Sequence, residues 1–150
     1  MVGGALGRRA YGASGLIVVI ARMCLSMRTI MMTADIDKAK VIREQNDRVR
    51  QGDTSIPARV FCTDGVTRLV QDEDGGVAFG ALFEVVKAFD QFDENNDPYA
   101  EHDFGAFEFM GERLFWKFDY YTPDLKGGSP DPSDLKQTVR VLTIMLACEY

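Results

Sequence analysis

Alternating aromatic residues on both sides of a two-residue turn constrain this chain more than any other feature. Residues 104–109 and 112–121 are rich in aromatic side chains, and Met110-Gly111 lies between them. A two-residue turn there pairs Phe109 with Glu112. One face of the predicted hairpin then carries Phe107, Phe109, Leu114, Trp116, Phe118 and Tyr120. Because a slip of one residue would expose this whole face, the pattern predicts one register.

Two helices are predicted to cover the hairpin, since an isolated hairpin is only marginally stable. The first is expected to follow Asp35 as its N-cap, to run through Lys38 to about Arg50, and to end at Gln51-Gly52. The second is expected over residues 77–92. Its apolar face would contain Leu82, Val85, Val86, Phe89 and Phe92.

Two further segments have β-rich sequences. Residues 59–63 predict a strand, and the Asp64-Gly65 turn signal makes residues 66–70 either the second strand of a hairpin or a short irregular piece. Residues 139–146 are β-branched, so we favour a strand there over a helix beginning at Leu135. The predicted fold class is α+β: two amphipathic helices packed on a small antiparallel sheet, in a single domain over residues 35–150.

Residues 1–34 differ from the rest of the chain and are predicted to lie outside the domain. Their apolar run, residues 16–21, is shorter than the about 20 residues that cross a bilayer. Arg22 follows this run directly, without the small residues of a signal-peptide cleavage site. A start codon set too early is therefore favoured over an export signal or a lipid-surface segment, with later starts at Met27, Met31 or Met32.

The charge of the chain is strongly uneven. The first 34 residues contain four arginines and no acid, so the 23 acids and the other 13 bases lie in residues 35–150, whose net charge is −10. Such a surface repels nucleic acid and anionic membranes. The expected partner is therefore a basic protein, and neither direct nucleic-acid binding nor membrane binding is expected.

The sequence offers no pattern for a disulfide framework, a metal or a cofactor. The three cysteines, Cys24, Cys62 and Cys148, form no CxxC pair and are expected to be reduced, partly buried thiols of a cytoplasmic protein. Residues 93–104 fail as a calcium loop, because Pro98 and Phe104 stand where glycine and glutamate are needed. The paired glycines lack the lysine of a phosphate-binding loop.

His102 is the single histidine, and it lies between Glu101 and Asp103. Nearby carboxylates favour a protonated imidazole, which could act as a general acid or in a metal site. Adjacent residues of a strand point to opposite faces, however, so both neighbours cannot hold the ring. The favoured interpretation is structural: His102 caps or bridges the loop that leads into the hairpin. A third option, also structural, is that His102 and Asn46 tie the first helix to the hairpin. The catalytic candidates are His102, Asp103, Glu101, Lys117 and Asp119.

Several segments together resemble a family of small bacterial proteins of unknown function that is frequent on plasmids and other mobile elements. They are residues 42–47 (IREQND), 96–107 (NDPYAEHDFGAF), 115–121 (FWKFDYY), 129–132 (SPDP) and 140–147 (RVLTIMLA). The resemblance covers roughly residues 36–150 and implies no established activity. Polar members of these segments are the candidate binding residues: Asn46, Asp47, Asn96, Asp97, Tyr120 and Tyr121.

Two functions follow as hypotheses. The leading one is a non-enzymatic acidic module that binds a basic protein surface, such as that of a nucleic-acid enzyme, in an accessory or anti-defence role on a mobile element. The alternative is a small enzyme or metal-dependent hydrolase centred on His102. An enzyme would lose its activity on substitution of His102, whereas an acidic module would fail when its surface carboxylates are neutralised.

Overall fold

The computed structural model describes residues 31–32, 35–71 and 77–150. The chain divides into two compact units, Met1–Ile36 and Asp37–Tyr150. The predicted N-terminal segment, residues 1–34, lies outside the described residues, except for the helical and exposed residues 31–32. The fold and the sites described below concern the second unit and the start of its first helix.

The described residues form three helices, one 3₁₀ turn and four strands. The helices are α1 (residues 35–50), α2 (Asp64–Val70) and α3 (Val77–Ala88), and the 3₁₀ turn is Ala147–Glu149. The strands are β1 (Ala58–Cys62), β2 (Phe104–Phe109), β3 (Glu112–Tyr121) and β4 (Val139–Leu146). The α+β class is confirmed, and so is the strand preferred over a helix near the C-terminus.

The β2–β3 hairpin has the predicted register. Phe109 pairs with Glu112 and Glu108 pairs with Arg113. The two turn residues, Met110 and Gly111, have φ values of 52° and 81°, as a tight two-residue hairpin turn requires. Alternation of side chains along the strands therefore set the pairing as expected.

The prediction of a purely antiparallel sheet is wrong. The strand order is β1-β4-β3-β2, and β1 pairs with β4 in parallel, with Val60 opposite Leu142. Parallel neighbours need a long crossover connection, which here contains α2, α3 and the β2–β3 hairpin. The sheet is mixed for that reason.

Residues 64–70 form helix α2 rather than a second strand or an irregular piece, so there are three helices where two were predicted. The carboxylate of Glu149 accepts hydrogen bonds from the Gly65 amide (3.0 Å) and the Thr63 hydroxyl (2.5 Å) at the start of this helix. Val66 and Val70, one helical turn apart, are both buried. A side chain from the far end of the chain thus supplies the cap that the local sequence lacks.

Helix α3 ends at Ala88, four residues earlier than predicted. Leu82 and Val86 are buried as expected, whereas Val85 is 37% exposed and does not face the core. Phe89 and Phe92 pack on the core from the segment after the helix, and each ring contacts Trp116 edge-on. The aromatic face of the hairpin is therefore covered by α3 together with this segment.

One face of the sheet carries the core. Its buried side chains from β3 and β4 are Leu114, Trp116, Phe118, Leu142 and Ile144. The opposite face is only half covered, with a cluster of Phe104, Phe115 and Tyr150 whose ring centroids lie 5.2–5.8 Å apart. No helix in the described part of the chain is long and apolar enough to span a membrane.

The cysteines differ in exposure. Cys62 is half buried, and burial raises the pKa of its thiol. Cys148 is exposed, so the expectation of a partly buried thiol is wrong for this residue. It belongs to the terminal 3₁₀ turn, which lies at the surface. Cys24 lies outside the described residues.

Candidate functional site

Asn46 is fully buried on helix α1, and its whole amide group is hydrogen bonded. The Nδ2 atom donates to the Glu101 carbonyl (2.9 Å) and to the Tyr120 hydroxyl (2.7 Å). Its Oδ1 atom accepts from Arg140 Nε (3.0 Å). The requirement that a buried polar side chain find partners is therefore met. These bonds join α1 to the loop before β2 and to strands β3 and β4.

Arg140 is fully buried at the centre of this network, and it was not among the site residues predicted from the sequence. Its Nη2 atom donates to Gln45 Oε1 and to the Pro132 carbonyl (2.7 Å). Its guanidinium also lies over the Tyr120 ring, 5.5 Å from the centroid. Burial lowers the pKa of Arg140 and raises that of Tyr120. Side chains alternate along β4, so Arg140 shares a face with Leu142 and Ile144. This spacing in the sequence could have indicated that Arg140 is buried.

His102 is held by residues far away in the sequence rather than by its neighbours. Its Nδ1 atom donates to Asp47 Oδ2 on α1 (2.9 Å). The imidazole stacks on Phe92, with 3.6 Å between centroids and 4° between planes. Its Nε2 atom lies 3.8 Å from Asp97 Oδ2. Because φ of His102 is 51°, its backbone is not extended. The alternation of side chains expected of a strand therefore does not hold at this residue.

Asp47 also pairs with a buried cation. Its Oδ1 atom accepts from Arg50 Nη2 (2.9 Å), and the Arg50 side chain is only 4% exposed. Arg50 Nη1 in turn donates to the carbonyls of Val86 (2.8 Å) and Phe89 (2.6 Å) at the end of α3. One carboxylate therefore connects the C-terminal end of α3 to His102.

Asp97 shapes the loop that carries His102. It is 8% exposed, and its Oδ1 atom accepts from the main-chain amides of Glu101 (2.8 Å) and His102 (3.1 Å). These bonds stabilise a segment in which Ala100 and His102 both have positive φ. Just before it, the main-chain amide of Asp93 donates a hydrogen bond to Asn96 Oδ1, and the main-chain amide of Asn96 donates one to Asp93 Oδ1. The run 93–103 is thus a loop folded on its own polar side chains.

Four of the other candidates line an open cleft of about 410 Å³ beside the start of β2. It is lined by Asn95, Asn96, Asp103, Phe104, Lys117, Phe118, Asp119 and Tyr150. Lys117 Nζ pairs with Asp119 Oδ2 (2.9 Å). The cleft therefore contains three of the five catalytic candidates, Asp103, Lys117 and Asp119, but not His102.

Carboxylates crowd the region between the cleft and the buried network. Burial raises the pKa of the Asp103 carboxyl, and repulsion from Asp97 and Asp119 raises it further. Burial likewise raises the pKa of Glu101, with added repulsion from Asp103 and Asp97 and partial relief from Arg140. This region therefore carries more negative charge than Lys117 alone neutralises.

The structure separates the predicted site residues into two groups. The buried network contains Asn46, Asp47, Asp97, His102 and Tyr120 together with the main chain of Glu101, whereas the cleft contains Asn96, Asp103, Lys117 and Asp119. Tyr121 belongs to neither group; its backbone bridges to Gly128 at the end of β3. In the described part of the chain, no three His, Cys, Asp or Glu residues come together as metal ligands.

Comparison with known proteins identifies a family. Residues 62–149 match the family described as "Protein of unknown function (DUF3768)", and the chain belongs to that family. The matched stretch contains the hairpin, the loop with His102 and every residue that lines the cleft except Tyr150, while α1 precedes it. No curated protein and no solved structure matches the chain.

Proposed function

We propose that this member of a family of unknown function is a non-enzymatic module that binds a basic surface of another protein. The observation that carries the proposal is the state of Asp103. Its carboxylate is half buried in the cleft, is repelled by the carboxylates of Asp97 and Asp119, and forms no ion pair among the described residues. A lysine or arginine side chain of a partner would relieve that repulsion.

The shape of the cleft suits such a cation. Asn95 and Asn96 line it, and their amide oxygens can accept hydrogen bonds from an ammonium or guanidinium group, although Asn96 Oδ1 already accepts one from the Asp93 amide. Phe104 and Tyr150 also line it, and a guanidinium can stack on such rings. The cleft therefore offers charge, acceptors and an aromatic surface together, which is the chemistry that recognises arginine.

The partner that we propose is a nucleic-acid enzyme. Such enzymes present basic grooves that hold phosphates, and an anionic protein surface can compete for such a groove. The net charge of −10 over residues 35–150 supports this choice. An accessory or anti-defence role on a mobile element is the biological setting that we propose for this binding.

The test is affinity capture by the full chain from bacterial lysate at low and high salt. The wild type is compared with the Asp103→Asn/Asp119→Asn variant. A matched control, Asp64→Asn/Glu112→Gln, removes the same charge at two exposed residues outside the cleft. Capture of a basic protein at low salt that is lost in the cleft variant and kept in the control supports the proposal. Equal loss in both variants would mean that capture depends on the overall negative charge of the protein and not on the cleft.

A small enzyme centred on His102 is the second candidate. The bond from His102 Nδ1 to Asp47 orients the imidazole as a carboxylate orients a catalytic histidine. Against it, Nε2 points towards the buried Asp97 rather than into the cleft. The two candidates separate in one variant: His102→Ala should leave captured partner unchanged if the protein is a binding module, and should abolish function if it is an enzyme.

A further inference from the structure

Strand β2 lies at the edge of the described sheet, and the hairpin register determines which of its backbone groups face outward. In a two-residue hairpin, the closing pair Phe109 and Glu112 exchanges hydrogen bonds, and every second pair does the same. The bond from the Phe118 amide to the Asp103 carbonyl (2.8 Å) continues this alternation. The amides and carbonyls of Phe104, Ala106 and Glu108 consequently point away from β3.

These outward groups have no hydrogen-bond partner among the described residues. Backbone bonds outside the regular elements include none from Phe104, Ala106 or Glu108, and no side chain in the described ranges bonds them. An edge strand with free amides and carbonyls is a template for pairing with another strand. This edge lacks the lysines and prolines that commonly block such pairing.

A second cleft, of about 530 Å³, runs along the same edge. Val85 and Ala88 of α3 form its apolar wall together with Phe107 of β2. Asp90 and Glu108 add two exposed carboxylates at its rim, which form no ion pair in the described part of the chain, and Arg113 adds one base. A free strand edge beside a helix with an apolar surface is the setting in which proteins bind extended peptides.

We propose that this cleft binds an extended segment of a partner protein, which adds to the sheet as a strand beside β2. Its alternate side chains would place an apolar group against Val85 and Phe107 and a basic group near Glu108 and Asp90. A second copy of this chain is the less suitable occupant, because its own β2 strand, FGAFEF, has no basic residue to pair with these carboxylates. The proposal goes beyond the cation site at Asp103 and stands if that site fails.

The test selects peptides from a random twelve-residue library displayed on phage, using the full chain as bait. Ala106→Pro removes an outward amide that the protein's own sheet does not use, and Ala106→Ser is the matched control that keeps it. We expect peptides enriched on the wild type to carry a basic residue and to bind the proline variant about tenfold more weakly. Binding to the serine variant should be unchanged. Peptides that bind all three proteins equally would overturn the proposal.

A second variant keeps the proposal testable if the proline variant unfolds, which thermal denaturation would show. Glu108→Lys reverses a charge at the rim without touching the backbone. It should shift the enriched peptides from basic to acidic residues, while the Asp103→Asn/Asp119→Asn variant should not. An unchanged preference would contradict the assigned site. Sedimentation equilibrium tests the other occupant. If the wild type is a dimer and Ala106→Pro dissociates it, the occupant of the cleft is a second copy of this chain and not a partner segment.

Discussion

His102 Nδ1 donates a hydrogen bond to Asp47 Oδ2 over 2.9 Å, and this bond ties helix α1 to the loop before β2. The same carboxylate accepts from Arg50, which binds the carbonyls at the end of α3. His102 resembles a catalytic histidine by its acidic neighbours in the sequence. In the fold it belongs to a connection between α1, the loop before β2 and the end of α3. The acidic cleft is lined by other residues and contains neither His102 nor Asp47.

The first prediction concerns this connection. His102→Ala should lower the free energy of unfolding by about 1–3 kcal/mol, because it removes one of the two partners of Asp47 and the stacking on Phe92. Asp47→Ala should cost more, since it also leaves the buried Arg50 without its carboxylate. Urea denaturation measures both values. A larger loss for His102→Ala than for Asp47→Ala would contradict the described network.

The second prediction concerns the buried pair of Asn46 and Arg140. Asn46→Leu should lower the free energy of unfolding by about 3 kcal/mol, because Arg140 Nε and the Tyr120 hydroxyl lose a buried partner. In the double variant with Arg140→Met, the loss should be smaller than the sum of the single losses by about 1–3 kcal/mol. A double-mutant cycle in urea measures this coupling. Additive losses would show that the two side chains act independently.

The third prediction compares two glycines. A Cβ atom on Gly105 would lie 2.7 Å from Cζ2 of Trp116 and still closer to its Nε1, so Gly105→Ala should cost about 1–3 kcal/mol of stability. A Cβ atom on Gly80 in α3 would meet nothing within 4 Å, so Gly80→Ala should raise stability by about 0.5–1 kcal/mol. Thermal melting of the two variants should shift in opposite directions. Equal shifts would place Trp116 elsewhere.

The fourth prediction concerns pH. Burial and the neighbouring carboxylates raise the folded-state pKa of Asp103 above its ordinary value of 3.8, so its ionised form destabilises the fold at neutral pH. Asp103→Asn should therefore raise the melting temperature at pH 7. The gain should fade as the pH falls through the folded pKa and should vanish well below 3.8, where the carboxyl is protonated in both states.

Asp131 provides a control of opposite sign for that experiment. Hydrogen bonds from Ser133 and Lys38 lower its pKa from 3.8 to about 2. Its ionised form therefore stabilises the fold above pH 3.8, and that contribution is lost as the pH falls towards 2. Asp131→Asn should lower the melting temperature at pH 7. If the two asparagine variants shifted the melting temperature in the same direction, the assigned environments would be wrong.

The hairpin could be predicted because its information is local. The aromatic alternation on both sides of Met110-Gly111 determines the turn, the register and the buried face without any distant contact. Helix α2 could not be predicted in the same way. Its sequence begins with the turn signal Asp64-Gly65, and the carboxylate that caps it comes from Glu149, 84 residues after Gly65.

The candidate site could be predicted only in part, for a similar reason. The suggestion that Asn46 ties the first helix to the hairpin was correct, since Asn46 is buried and donates a hydrogen bond to the Tyr120 hydroxyl on β3. The partner of His102, however, is Asp47 and not the adjacent Glu101 or Asp103, because the loop bends at Ala100 and His102. Pairing across 55 residues depends on the fold, which the residue pattern alone does not give.

The proposed cation site at Asp103 is tested most directly by nuclear magnetic resonance. Carboxyl resonances of the full chain are followed during titration with a capped hexa-arginine peptide. The Asp103 and Asp119 resonances should shift together and saturate, whereas those of Asp64 and Glu112 should stay in place. About 0.5 M NaCl, where the Debye length is roughly 4 Å, should weaken the binding. Equal shifts at all exposed carboxylates, or none at Asp103, would contradict a binding site in this cleft.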